Sequence, residues 1–102
     1  MLDETRNEIA ESLEALAAQA TWNEDVWRRC HDLVQANWDN ELLAYVYDDI
    51  VHYSGVFHSR NILGFRTKPD PYQLEDYRQE FRAIAVALRT GQSLALAKKQ
   101  FL

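Results

Sequence analysis

Cysteine is nearly absent from this 102-residue chain, in which Cys30 stands alone. A single thiol cannot close an internal disulfide, and it excludes a zinc site built from cysteine pairs. It also fits a reducing compartment. Glycine and proline are scarce, with three and two residues respectively. So little turn chemistry argues against an all-β fold, which needs many tight connections. Long apolar runs are missing as well: nowhere do about 18 uncharged apolar residues follow one another, so no membrane-spanning helix is expected. The opening Met1-Leu2-Asp3-Glu4 is acidic and passes at once into an amphipathic pattern. That is unlike a signal peptide, and a cytoplasmic protein is expected. Glycine-rich phosphate loops, His-Glu-x-x-His and Ser/His/Asp arrangements do not occur, so no spacing selects a reaction and no cofactor is expected.

What remains is rich in Ala, Leu, Glu, Gln and Arg, all good helix formers. With 47% apolar and 26% charged residues, the chain has the composition of a globular domain and not of a disordered one. The expectation is one all-α domain over 1–102: a bundle of four helices plus a short C-terminal helix, with a long ordered loop between helices 3 and 4.

Cap signals mark out the helices. Thr5-x-x-Glu8 reads as a capping box, in which each side chain satisfies the other residue's free backbone N–H. Ile9, Leu13, Leu16, Ala17 and Ala20 follow on one helical stripe. A second box, Thr21-x-x-Glu24, opens helix 2, whose stripe is Trp22, Val26, Cys30, Leu33 and Val34. Asn37 and Asp39 are placed to stop it and to cap the next. Helix 3 is expected from about Asn40 to Ser54, closed by Gly55, with Leu42, Leu43, Val46, Ile50 and Tyr53 inward. Asp70-Pro71 opens helix 4 with an N-cap and a proline at the first helical position. Leu74, Tyr77, Phe81, Ile84, Ala85 and Leu88 form its stripe, and Thr90-Gly91 ends it. Residues 93–101 suit a short last helix.

Charge is divided unevenly. Residues 1–51 hold 12 acids against Arg6, Arg28 and Arg29, a net of −9, whereas residues 52–102 carry a net of +4. Either the halves pair with each other, or the first presents an acidic face to a basic partner, speeding association at low salt. Nucleic acid does not suit a chain of net charge −5 with no basic face.

Three constellations invite chemistry. Asp48, Asp49 and His52 share a face of helix 3, but a bundle metal site needs ligands that no second motif supplies. Cys30 lies on an apolar stripe, where a thiol packs as a small hydrophobe. The acid-free segment 52–68 places His52, His58, Arg60 and Arg66 in or beside a long loop, the usual equipment for holding an anion. Those cations could equally dock on the acidic half and pin the loop.

The reading that follows is a small acidic interaction module: an inhibitor, immunity-type or self-associating protein. Its partner is another protein or a second copy, with neither nucleic acid nor membrane involved. Glu8, Glu11, Trp38, Tyr45, Asp48 and Asp49 are the candidate contact residues. They belong with aromatics in excess of core need, namely Trp22, Trp27, Trp38, Tyr45, Tyr47 and Tyr72. The alternative is a small-molecule or anion-binding protein using the end of helix 3 and the 55–70 loop, with His52, His58, Arg60 and Arg66.

Overall fold

A computed structural model of the chain describes residues 3–39, 41–58, 63–65 and 68–91. They form four helices: α1 (Asp3–Ala18), α2 (Glu24–Gln35), α3 (Glu41–Phe57) and α4 (Pro71–Thr90). No strand occurs among the described residues, so the all-α class holds. The helix expected over 93–101 lies outside them.

Successive helices run antiparallel, and the last returns to the first. Trp22 meets Phe57 and the Trp27 indole donates to the Ile50 carbonyl, which sets α2 head to tail against α3. Tyr45 pairs with Glu80 and Tyr53 with Tyr77, which does the same for α3 and α4. Glu14 with Arg89, and the Gln19 carbonyl with Arg78, close α4 back onto α1. The result is an up-down-up-down bundle.

The apolar stripes meet along its axis. Ile9, Leu13 and Leu16 of α1, Cys30 and Val34 of α2, Leu43, Val46, Ile50 and Tyr53 of α3, and Phe81, Ile84 and Leu88 of α4 are all buried. Full burial of one such aliphatic or Phe side chain contributes about 1.5–3 kcal/mol. The amphipathic stripes are therefore the main source of stability, as isolated helices of this length are marginal.

Three helix ends fall elsewhere than the cap signals predict. First, α1 begins at Asp3, so Thr5 lies inside the helix. Asp3 and Glu4 occupy the first turn, where carboxylates favour the positive end of the helix dipole. Second, α2 is capped by Asn23 and not by Thr21. The Asn23 side chain accepts from the backbone N–H groups of Asp25 and Val26. Glu24, the expected reciprocal partner of Thr21, instead takes the Trp22 indole N–H at 2.7 Å. That bond holds the Glu24 carboxyl below the usual range. Third, α3 continues through Gly55 to Phe57. Its end is capped by His58, whose backbone N–H and ring Nδ1 both reach the Ser54 carbonyl. Val56 and Phe57 pack against the core, which rewards the extra turn. At Asp70 and Gly91 the signals hold. Asp70 caps α4 by accepting from the Tyr72 N–H ahead of Pro71, and Gly91 closes it in the left-handed conformation at φ 75°.

Packing is uneven around the ring of helices. The α1–α4 seam is the closest and the α3–α4 seam the loosest. Both α1 and α4 bury alanines (Ala10 and Ala17, Ala85 and Ala87), which let backbones approach. Between α3 and α4 stand Tyr45, Tyr53, Tyr77 and Phe81 instead, with ring centroids 5.1 Å apart for Tyr53 and Phe81 and 5.9 Å for Tyr53 and Tyr77. Bulky rings hold these two helices apart, and the outer side of their seam opens into a groove.

Candidate functional site

The groove has a volume of about 680 Å³ near the C-terminal half of α3. Val51, Gly55 and Val56 form its α3 wall, Gln73 and Tyr77 its α4 wall, and His52, Lys68 and Asp70 its polar rim. Helical spacing explains the α3 wall: residues 51, 52, 55 and 56 share one face, opposite the face that buries Ile50 and Tyr53. Gly55 contributes no side chain, which deepens the floor. A neighbouring hollow of about 340 Å³ shares Gln73 and Tyr77 and adds Asp49, Asp76 and Glu80. The two form a trough with an apolar middle, carboxylates towards one end and His52 with Lys68 towards the other.

Four of the six large apolar side chains that stand exposed among the described residues fall between positions 51 and 72, and one of them, Val51, lines the groove. Val51 is 43% exposed, Leu63 75%, Phe65 68% and Tyr72 82%. These four lie in the second half of α3, the connection to α4 and the first turn of α4.

At the carboxylate end, the Tyr45 hydroxyl donates to Oε1 of the buried Glu80. Burial, and then the bond to Glu80, push the Tyr45 phenol well above its ordinary value. Tyr77 is raised too, first by burial and then by Asp49 and Glu80.

The candidate residues divide by location. Glu8, Glu11 and Asp48 are exposed on the outer faces of α1 and α3. Trp38 is 56% exposed and rests edge-on against Tyr47. Tyr45 turns towards α4, where it bonds Glu80, and Asp49 lines the carboxylate end of the trough. His52 lines the groove. His58 does not, because its ring is bonded to Ser54 and packed 4.6 Å from Trp22. Arg60 and Arg66 lie outside the described residues. Among the described residues, no three His, Cys, Asp or Glu side chains gather closely enough to hold a metal ion.

Most of the aromatics in apparent excess are structural. Trp22, Trp27, His31, Tyr47 and Trp38 form a continuous ladder along the α2–α3 seam, with successive centroids 5.8, 4.9, 5.3 and 5.6 Å apart. Only Trp38 and Tyr72 of the six named remain exposed. Cys30 is fully buried, and burial raises its thiol to about 11 against the opposing pull of Ser12 and Arg29.

Sequence reasoning missed the apolar and α4 side of the groove. Val51 and Val56 sit in a helix apolar almost throughout, so periodicity did not separate the wall of a groove from the core. Tyr77 lies on the core stripe of α4, and its exposed edge is set by how far α3 stands away. Lys68 and Asp70 were visible as a loop cation and a cap, with no signal that they shared a rim. Among the described residues one ion pair, Glu14 with Arg89, joins the acidic first half to the basic second half. No known protein family, no curated protein and no solved structure matches this chain.

Proposed function

We propose that this chain is a protein-interaction module whose binding face is the α3–α4 trough and the segment leading into α4. The observation that carries the reading is the gathering of Val51, Leu63, Phe65 and Tyr72, all strongly exposed, between positions 51 and 72. Exposed apolar surface with a polar rim is characteristic of docking sites, and of these four Val51 lines the groove itself. The polarity of the trough supports a partner of particular chemistry. An apolar segment fits the middle, and a lysine or arginine fits the end lined by Asp49, Asp76 and Glu80. The acidic first half would steer such a basic partner into place. An inhibitor, an immunity-type protein or a self-associating protein would each use a face of this kind.

The test is capture from native extract at physiological salt, with sizing of the purified chain in parallel. Tyr72→Ala is expected to leave the helix content intact and to weaken association at least about 30-fold, the size of an aromatic hot spot. A monomer that retains no partner, or a partner held equally by the wild type and by Tyr72→Ala and Val51→Asp, would sink the reading.

A second reading rests on the groove's own dimensions. A volume near 680 Å³ falls within the range of small-molecule pockets, and at its rim Lys68 offers a positive charge and His52 an imidazole, beside Asp70. On this reading a phosphate or carboxylate compound raises Tm, and Lys68→Gln with His52→Gln removes the effect. A Tm unmoved by such compounds in the wild type counts against it.

A further inference from the structure

The trough carries opposite charges at its two ends and is apolar between them. At one end Asp76 stands exposed beside Asp49 and the buried Glu80. At the other, Lys68 shares the rim with His52 and Asp70. Asp70 does not cancel the lysine outright. Its carboxylate caps α4, accepting the Tyr72 N–H at 2.9 Å, and the positive end of the helix dipole there offsets part of its charge. Neither Lys68 nor Asp76 makes an ion pair among the described residues.

A surface that is positive at one end and negative at the other complements itself when a copy is turned end over end. Closed pairs of identical chains are built this way, because across a two-fold axis a contact from residue i to residue j is repeated from j to i. Two troughs laid face to face in opposite directions bring Lys68 of each copy to the partner's Asp76. The same register decides what lies at the centre. Position 72 is midway between 68 and 76, so the axis passes beside Tyr72 and the two Tyr72 rings meet there. Tyr72 is 82% exposed and shares a helix face with Asp76, four residues further on. Tyrosine is a favoured anchor at the centre of interfaces.

We infer that the occupant of the trough is a second copy of this chain, docked antiparallel about a two-fold axis, with Lys68 on the partner's Asp76 and Tyr72 on its counterpart. This inference rests on the reading of the trough as a docking face and names what docks there. The charges fix the register and exclude the parallel arrangement, which would set the two acidic ends together. The apolar middles and the Tyr72 rings supply most of the affinity.

Sedimentation equilibrium of the purified chain at physiological salt, over about 1–200 μM, measures the pairing. At that salt the mutual repulsion of two chains of net charge −5 is screened beyond about 8 Å, which leaves the contacts to decide. The wild type is expected to dimerise within this range. Lys68→Glu and Asp76→Lys should each weaken the dimer at least about tenfold, since either change acts twice across the axis and sets like charges together. An equal mixture of the two variants should recover the wild-type affinity, because the mixed pair has opposite charges at both contacts again. A mixture no tighter than the single variants overturns the arrangement, and so does a dimer that both substitutions leave unchanged. A chain that stays monomeric while Tyr72 still holds a different protein overturns the second copy and leaves the docking face standing. A chain that does neither removes both.

Discussion

Asn23 shows how much one side chain decides. Its φ of −123° and ψ of 107° are the extended values of an N-cap, and its carboxamide satisfies two of the backbone donors that open α2. Asn23→Ala is expected to destabilise the fold by about 1 kcal/mol, measured by urea unfolding. Thr21→Ala should leave stability nearly unchanged, and the reverse order would restore the capping box that the sequence suggests. Cys30 is decided at the same scale. With its thiol raised to about 11, roughly one molecule in ten thousand is ionised at pH 7, and the side chain is fully covered besides. Ellman's reagent should therefore label Cys30 only as fast as the protein unfolds. Rapid stoichiometric labelling of the native state would contradict its place in the core.

At the scale of elements, two glycines answer the same substitution with opposite signs. Gly55 is helical, and a Cβ there meets nothing within 4 Å. Gly55→Ala should stabilise the bundle by about 0.5–1 kcal/mol, because alanine has less conformational freedom to lose on folding. The added methyl also narrows the groove, so the variant separates stability from binding. Gly91 has a φ of 75°, and a Cβ there lies 3.2 Å from the Arg6 guanidinium. Gly91→Ala should destabilise by about 1 kcal/mol, combining left-handed strain with displacement of Arg6. Chemical denaturation of the pair checks both signs. Sequence periodicity treats these glycines alike, as stops. What tells them apart is the chain around them: His58 takes over the capping of α3, and nothing described replaces Gly91 for α4.

Across the whole molecule, the α3–α4 seam controls the response to alkali. Tyr45, Tyr53 and Tyr77 all have phenols raised above the ordinary value of 10.0, in each case chiefly by burial. A raised folded-state value means that the unfolded chain ionises first as pH climbs. The stability these groups contribute is thus fully present below about pH 10 and is lost as pH rises further. Tm should stay level up to that point and then fall, and Tyr77→Phe should make the fall shallower. A decline beginning near neutral pH would place the sensitivity elsewhere. The cross-half pair of Glu14 and Arg89 has little part in this, since a surface ion pair contributes about 0–1 kcal/mol.

The sequence by itself determined the class of fold, the number of described helices and nearly all of the core. Those depend on local periodicity and composition, which the chain carries residue by residue. It also determined the Asp70 and Gly91 boundaries, where proline chemistry and left-handed backbone leave few options. The Gly55 boundary was settled by tertiary packing, because the core claims Val56 and Phe57, and the Thr21 boundary by local rivals, because Asn23 caps α2 and Trp22 claims Glu24. The trough arises from side chains on two separate helices and the segment that joins them. Its existence depends on how far apart bulky rings hold α3 and α4. That distance is a property of packing, which no stretch of sequence specifies alone.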